Sequence, residues 1–89
     1  MKLNELLESK AKIKAMEYFL NNSKPIGITE LGNKIEIARK DNRFIKDWSE
    51  IGILIKKQIS KKRFVYSINN ELNAIKALKK FNKLLEEMK

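Results

Sequence analysis

Eighty-nine residues are enough for one small domain and too few for two independent cores. With 43% hydrophobic and 35% charged residues, the chain is expected to fold behind a strongly charged surface. Lys+Arg 20 against Asp+Glu 11 leaves +9 at pH 7, which attracts polyanions, while the lack of His and Cys excludes the usual triads, thiol chemistry, disulfides and most zinc sites.

From Leu3 to Asn22, the residues Leu3, Leu6, Leu7, Ile13, Met16, Phe19 and Leu20 recur at spacings of three and four. That pattern predicts a helix broken near Ser9, which suits an N-cap. Glu5 and Glu8 fall inside it, so this N-terminus is expected to belong to the fold rather than to a secretory or transit peptide. Pro25 ends the helix. Ile26-Gly27-Ile28 has the apolar character of a very short strand, and Thr29 then caps a short helix with Glu30 in its first turn. Leu31 and Ile35 face the core, and Ile37 is the buried residue of the following turn. Gly32 lies inside this helix at a cost of about 1 kcal/mol relative to Ala, unless it permits close packing.

A third helix is predicted from about Arg39 or Asn42 to Ile51, with Ile45, Trp48 and Ile51 inward and Gly52 as C-cap. Two β-rich runs follow, Ile53 to Ile59 and Phe64 to Ile68, around Ser60-Lys61-Lys62-Arg63. This is a hairpin, and without Asn-Gly or Asp-Gly its link is expected to be longer than a two-residue turn. Asn70 is placed to cap a last helix from Glu71 to about Met88. Two apolar stripes run side by side on it: Leu72, Ile75, Leu78 and Leu85, then Ala74, Ala77, Phe81, Leu84 and Met88. A face that wide predicts one stripe docked on its own chain and the other on a partner. The longest uninterrupted apolar stretch, Ile53 to Ile55, is far short of the roughly 20 residues of a membrane span.

The order helix, short strand, helix, turn, helix, hairpin, helix resembles the winged helix-turn-helix domains of small prokaryotic and archaeal transcription regulators of the ArsR/MarR-like type. The residues carrying the likeness are ITELGNKIEI, Ile28 to Ile37, together with EIGILIKK and KKRFVYSIN. The resemblance covers most of the chain. It implies an α+β, mainly α fold: a three-helix core with a two-stranded β-hairpin wing over 1–68, and an additional C-terminal helix over 69–89. It further implies that the third helix enters the major groove while the wing touches the adjacent backbone or the minor groove.

With Ile45, Trp48 and Ile51 inward, Arg39, Lys40, Asn42, Arg43 and Lys46 project outward as the candidate base-reading set. A guanidinium can bridge guanine O6 and N7, and an amide can bridge adenine N6 and N7, whereas Lys40 and Lys46 suit phosphates. The plainer account is a solvated helix face. Lys56, Lys57, Lys61, Lys62 and Arg63 are the candidate backbone clamp on the wing; their competing role is to keep sheet edges from pairing with other molecules. Lys10, Lys12 and Lys14 are expected to be a solvated face, with bracing of the DNA backbone as the alternative, and Trp48, Phe64 and Tyr66 are expected to be core. In the resembled family, stripes on a terminal helix pack a homodimer, which nominates Leu72, Ile75, Leu78, Phe81, Leu85 and Met88; a basic amphipathic helix lying on an anionic membrane is the alternative for that segment.

The chain is therefore expected to be a sequence-specific, dimeric double-stranded DNA-binding protein, a transcription regulator of the cytoplasm and nucleoid. No enzymatic activity, cofactor, metal or membrane partner is expected. The alternatives are a winged-helix protein-protein interaction module and a non-specific nucleic-acid-binding protein, each within a plasmid, viral or transcription complex.

Overall fold

The computed structural model of the chain describes residues 2–37 and 43–88. Within them the fold is α+β and mainly helical, with five helices and one two-stranded antiparallel sheet. The order is α1 (Leu3–Leu6), α2 (Lys10–Asn21), α3 (Ile28–Ile35), α4 (Phe44–Glu50), β1 (Leu54–Ser60), β2 (Arg63–Ile68) and α5 (Asn73–Glu87). None of these helices is long and apolar enough to cross a membrane.

The break at Ser9 is present. Ser9 takes extended dihedrals and its Oγ accepts the Lys12 N–H at 3.2 Å, which separates the single turn α1 from α2. The start of α3 differs from expectation: Gly27, not Thr29, is the N-cap, so Ile28 is already helical. The expected strand shrinks to Ile26, whose N–H donates to the Tyr66 carbonyl at 2.9 Å and whose carbonyl accepts from Tyr66 at 2.8 Å. At its end, α3 closes through Glu36 in the left-handed region at φ 56, where the Glu36 and Ile37 amides both donate to the Gly32 carbonyl. A Cβ built on Gly32 would meet the Ile37 carbonyl oxygen at 3.7 Å, an ordinary contact, so close packing does not require glycine there.

α4 closes differently. The Gly52 N–H donates to the Ser49 carbonyl at 3.2 Å and the Ile53 N–H to the Trp48 carbonyl at 2.9 Å, with Gly52 at φ 90. These paired bonds satisfy the last helical carbonyls and reverse the chain into β1. The reversal corrects one expectation: Ile51 is the C-cap rather than a core residue, and it is 51% exposed.

The hairpin link is also tighter than expected. The strands extend to Ser60 and Arg63, leaving Lys61-Lys62 as a two-residue turn. Both lysines have negative φ, so this is not one of the mirror-image turns whose twist matches the strands. A register shift between Gln58 and Ser60 leaves Ile59 as the extra residue of a bulge, and the bulge absorbs the mismatch. At the far end Asn69, rather than Asn70, organises the approach to α5: its Oδ1 accepts the Glu71 N–H at 3.1 Å and its Nδ2 donates to the Gly52 carbonyl at 2.9 Å. Leu72 is the N-cap of α5.

One core unites these elements. Ala15, Met16 and Phe19 of α2 pack with Leu31, Ile45, Trp48, Leu54, Tyr66, Ile68 and Ile75. The Phe44 and Trp48 rings meet edge to face, with centroids 4.8 Å apart. α2 touches α3, α5 and β2, whereas α4 rests on β1. Of the apolar residues whose spacing predicted the N-terminal helices, Leu3 and Ile13 are exposed. The nominated dimerisation set also divides. Ile75 is only 1% exposed, and Leu72 and Leu78 are half-buried against the same core, because they occupy the side of α5 that meets α2. These three belong to the fold, and Phe81, Leu85 and Met88 remain outside.

Candidate nucleic-acid interface

The Gly52 reversal lays β1 back along α4, so cations on both elements come to flank a single cleft of about 390 Å³. Lys46 comes from α4, Lys56 from β1, and Lys62 and Arg63 from the turn and the start of β2. Opposite them stands the first turn of α3, with Thr29 and Glu30, while Phe64 and Tyr66 contribute the aromatic part of the lining. The Ile26–Tyr66 bridge explains why α3 is there at all, since it ties the residue before the α3 N-cap to the middle of β2.

Strand alternation decides which hairpin cations share the cleft. Leu54, Lys56 and Gln58 point to one face of β1, and Ile55, Lys57 and Ile59 to the other. Lys57 thus faces away, and Lys61 in the turn does not line the cleft either. Of the nominated reading set, Arg39, Lys40 and Asn42 lie outside the described residues. Arg43 is exposed at the N-cap of α4. Together with Lys46, Asp47, Glu50 and Ile28 it lines an adjoining groove of about 500 Å³, which meets the first cleft at Ile28 and Lys46. The outward side of α4 is therefore mixed in sign, with carboxylates one and two turns from Arg43.

Phe64 departs from its expected place in the core. It is 37% exposed, and the Lys56 ammonium sits 4.3 Å from its ring centroid. The aliphatic stem of Lys56 covers apolar surface while the ring face attracts its charge, which keeps the ammonium at the cleft. Burial pushes the Tyr66 hydroxyl above its usual range. Among the described residues the one ion pair is Lys12–Glu8, at the junction of α1 and α2. Lys12 also donates to the Glu5 carbonyl at 3.0 Å, which gives it a structural use.

Sequence reasoning missed Thr29, Glu30 and Phe64 as cleft residues. Thr29 and Glu30 read locally as helix-start residues, and only the Ile26 bridge, a contact across 40 positions, brings them to the hairpin. The one available signal was the apolar Ile26 between Pro25 and Gly27, already suggestive of strand pairing. Comparison of the chain with protein families, with curated proteins and with solved structures finds no match.

Proposed function

We propose that this protein binds double-stranded DNA as a winged helix, with α4 turned to the major groove and the hairpin on the neighbouring backbone. The observation that carries this reading is the convergence of Lys46, Lys56, Lys62 and Arg63 on one cleft, with Arg43 in the groove beside it. Cations from separate elements gathered on one side can neutralise consecutive phosphates and release their counterions. Scattered over the surface, the same charges would give only diffuse attraction.

Asp47 and Glu50 refine the geometry. A carboxylate near phosphate is repelled, so the backbone must run past Arg43 and Lys46 rather than along the side of α4 that carries Asp47 and Glu50. Arg43, at the start of the helix, is the described residue best suited to bridge a guanine. Lys62 and Arg63 hold backbone and carry no sequence preference of their own. Sequence-specific recognition, and with it transcription regulation, belongs to this proposal.

The test is fluorescence anisotropy on a labelled duplex across a salt series. Four phosphate contacts, from Lys46, Lys56, Lys62 and Arg63, predict a log–log slope near −3.6, hence roughly 150-fold weaker binding at 200 mM than at 50 mM salt. A flat titration overturns the reading. Selection of bound sequences from a random duplex pool then decides whether a preferred site exists, and Arg43→Ala should blur that preference where Lys62→Ala weakens all sequences alike.

A further inference from the structure

Hydrogen bonds at the two ends of the hairpin fix which backbone groups of β1 are committed. Tyr66 both donates to and accepts from Ile26, so its N–H and carbonyl point away from β1. Successive residues of a strand turn these groups to opposite sides, so Val65 and Ser67 bond their register partners Lys57 and Ile55. The root agrees with this phase: the Asn69 N–H, two residues beyond Ser67, donates to the Ile53 carbonyl, two residues before Ile55. Lys56 and Gln58, with Leu54 before them, therefore turn their N–H and carbonyl groups outward. On that side β1 has no neighbouring strand among the described residues, and from Ile55 to Ser60 it is exposed.

We infer that this edge takes up an extended acidic segment of another protein as a third strand, antiparallel to β1, with successive carboxylates opposite Lys57 and Lys56 and an aliphatic side chain opposite Ile55. Three observations select that occupant. The first is the ladder, which offers a donor and an acceptor at every second residue and is matched by the main chain of any extended partner. The second is charge. Residues 54–68 hold five cations and no carboxylate, and the one ion pair among the described residues, Lys12–Glu8, lies elsewhere. Lys56 and Lys57, being successive, stand on opposite faces of the sheet, so two successive acids on the partner meet both. The third is apolar surface. On the face turned away from the cleft, Ile55 and Ile59 are 51% and 52% exposed, which suits an aliphatic neighbour and offers nothing to a phosphate backbone. A second copy of the chain does not fit the same edge. Two-fold pairing centred on Lys56 sets that residue against itself, pairing centred on Lys57 repeats the conflict, and like charges directly opposite are destabilising. The lysines that turn away like strands thus admit an acidic one.

The probe is a capped peptide, Val-Thr-Glu-Glu-Val-Thr-Val, titrated into the isotope-labelled full chain and followed by amide chemical shifts and exchange. No DNA is present, so the outcome is independent of the duplex reading. At saturation the Lys56 and Gln58 amides should exchange at least about tenfold more slowly, while the Lys57 amide, already bonded to β2, changes little. Backbone chemistry separates a ladder from mere charge attraction. The second glutamate, opposite Lys56, directs its N–H at β1, and the first directs its N–H away. N-methylation of the second should abolish binding, and N-methylation of the first should leave it within about twofold. A peptide with lysine in place of both glutamates should not bind, and Lys56→Glu combined with Lys57→Glu should transfer binding to that peptide. Equal binding by the two N-methylated peptides overturns the inference, because charge alone would then be the attraction. No binding at about 1 mM peptide, or shifts centred on a surface other than β1, overturns it as well.

Discussion

The cleft beside α4 and the outer seam of α5 are made in opposite ways. The cleft takes Lys46 from one helix, Lys56, Lys62 and Arg63 from a hairpin, and Thr29 and Glu30 from a second helix, so it exists only when those elements are packed. The seam is carried by a single helix at a regular step and is present as soon as that helix forms. One surface is a product of tertiary structure and the other of local periodicity. Changes that disturb packing should therefore damage the cleft first, and changes to single side chains of α5 should leave the cleft intact.

The strongest way to break this contrast is Trp48→Ala. Trp48 is buried at the centre of the core and holds α4 against the sheet, and its truncation should cost about 3–5 kcal/mol. Denaturant titration should show a large loss of stability, with DNA affinity falling alongside it; undiminished DNA binding by a largely unfolded variant would mean that the cleft is not the binding surface. Next in size, Lys46→Glu combined with Lys62→Glu should weaken duplex binding by about 100-fold or more while the unfolding curve stays in place, because both residues are exposed. A shift of the unfolding curve in the same variant would mean that these cations hold the fold together and are not free to meet DNA.

A pair of glycine substitutions sharpens the comparison at the joint between α4 and β1. Gly52→Ala forces a side chain into φ 90 and should destabilise by about 1–2 kcal/mol. Gly32→Ala meets no clash and should stabilise by about 0.5–1 kcal/mol. Thermal unfolding reads both, and equal effects would remove the distinction between a glycine that turns the chain and one that merely occupies a helix. Smallest of all, Asp47→Asn should raise duplex affinity about two- to fivefold at low salt, as a carboxylate disappears from the groove it shares with Arg43 and Lys46. Anisotropy detects this directly, and a fall in affinity would indicate that Asp47 contacts a base.

The same division governs how far the sequence could be read. Ile45 and Trp48 were legible because three-residue spacing leaves a helix little choice of which side to bury, and Ser9 because its hydroxyl follows an apolar run and precedes another. Ile51 carries the same spacing, yet it falls where the Gly52 closure ends the helix, and a residue beyond the last turn no longer obeys the helical period. The hairpin was visible from β-branched content, but its tight turn was not, since the bulge at Ile59 changes the count of residues per strand without leaving a glycine as a sign. On α5 both stripes share one period, so their rows could be drawn, while assigning Ile75 to the core and Phe81 to the surface needed the position of α2. Glu36 in the left-handed region had no forerunner at all, because the helix ends there on an acidic residue where glycine is the usual choice.

The double hold of Asn69 on the hairpin root has a mechanical consequence. Its backbone N–H donates to the Ile53 carbonyl and its side-chain amide to the Gly52 carbonyl, both at 2.9 Å, so the two legs of the hairpin are locked together at their base. Such a structure bends like a cantilever, with the least displacement at the clamp and the greatest at the free end, which bears Lys61, Lys62 and Arg63. Amide relaxation should fall into a gradient along β1 and β2, with the charged tip sweeping the widest arc and Ile68, at the fixed end, hardly moving.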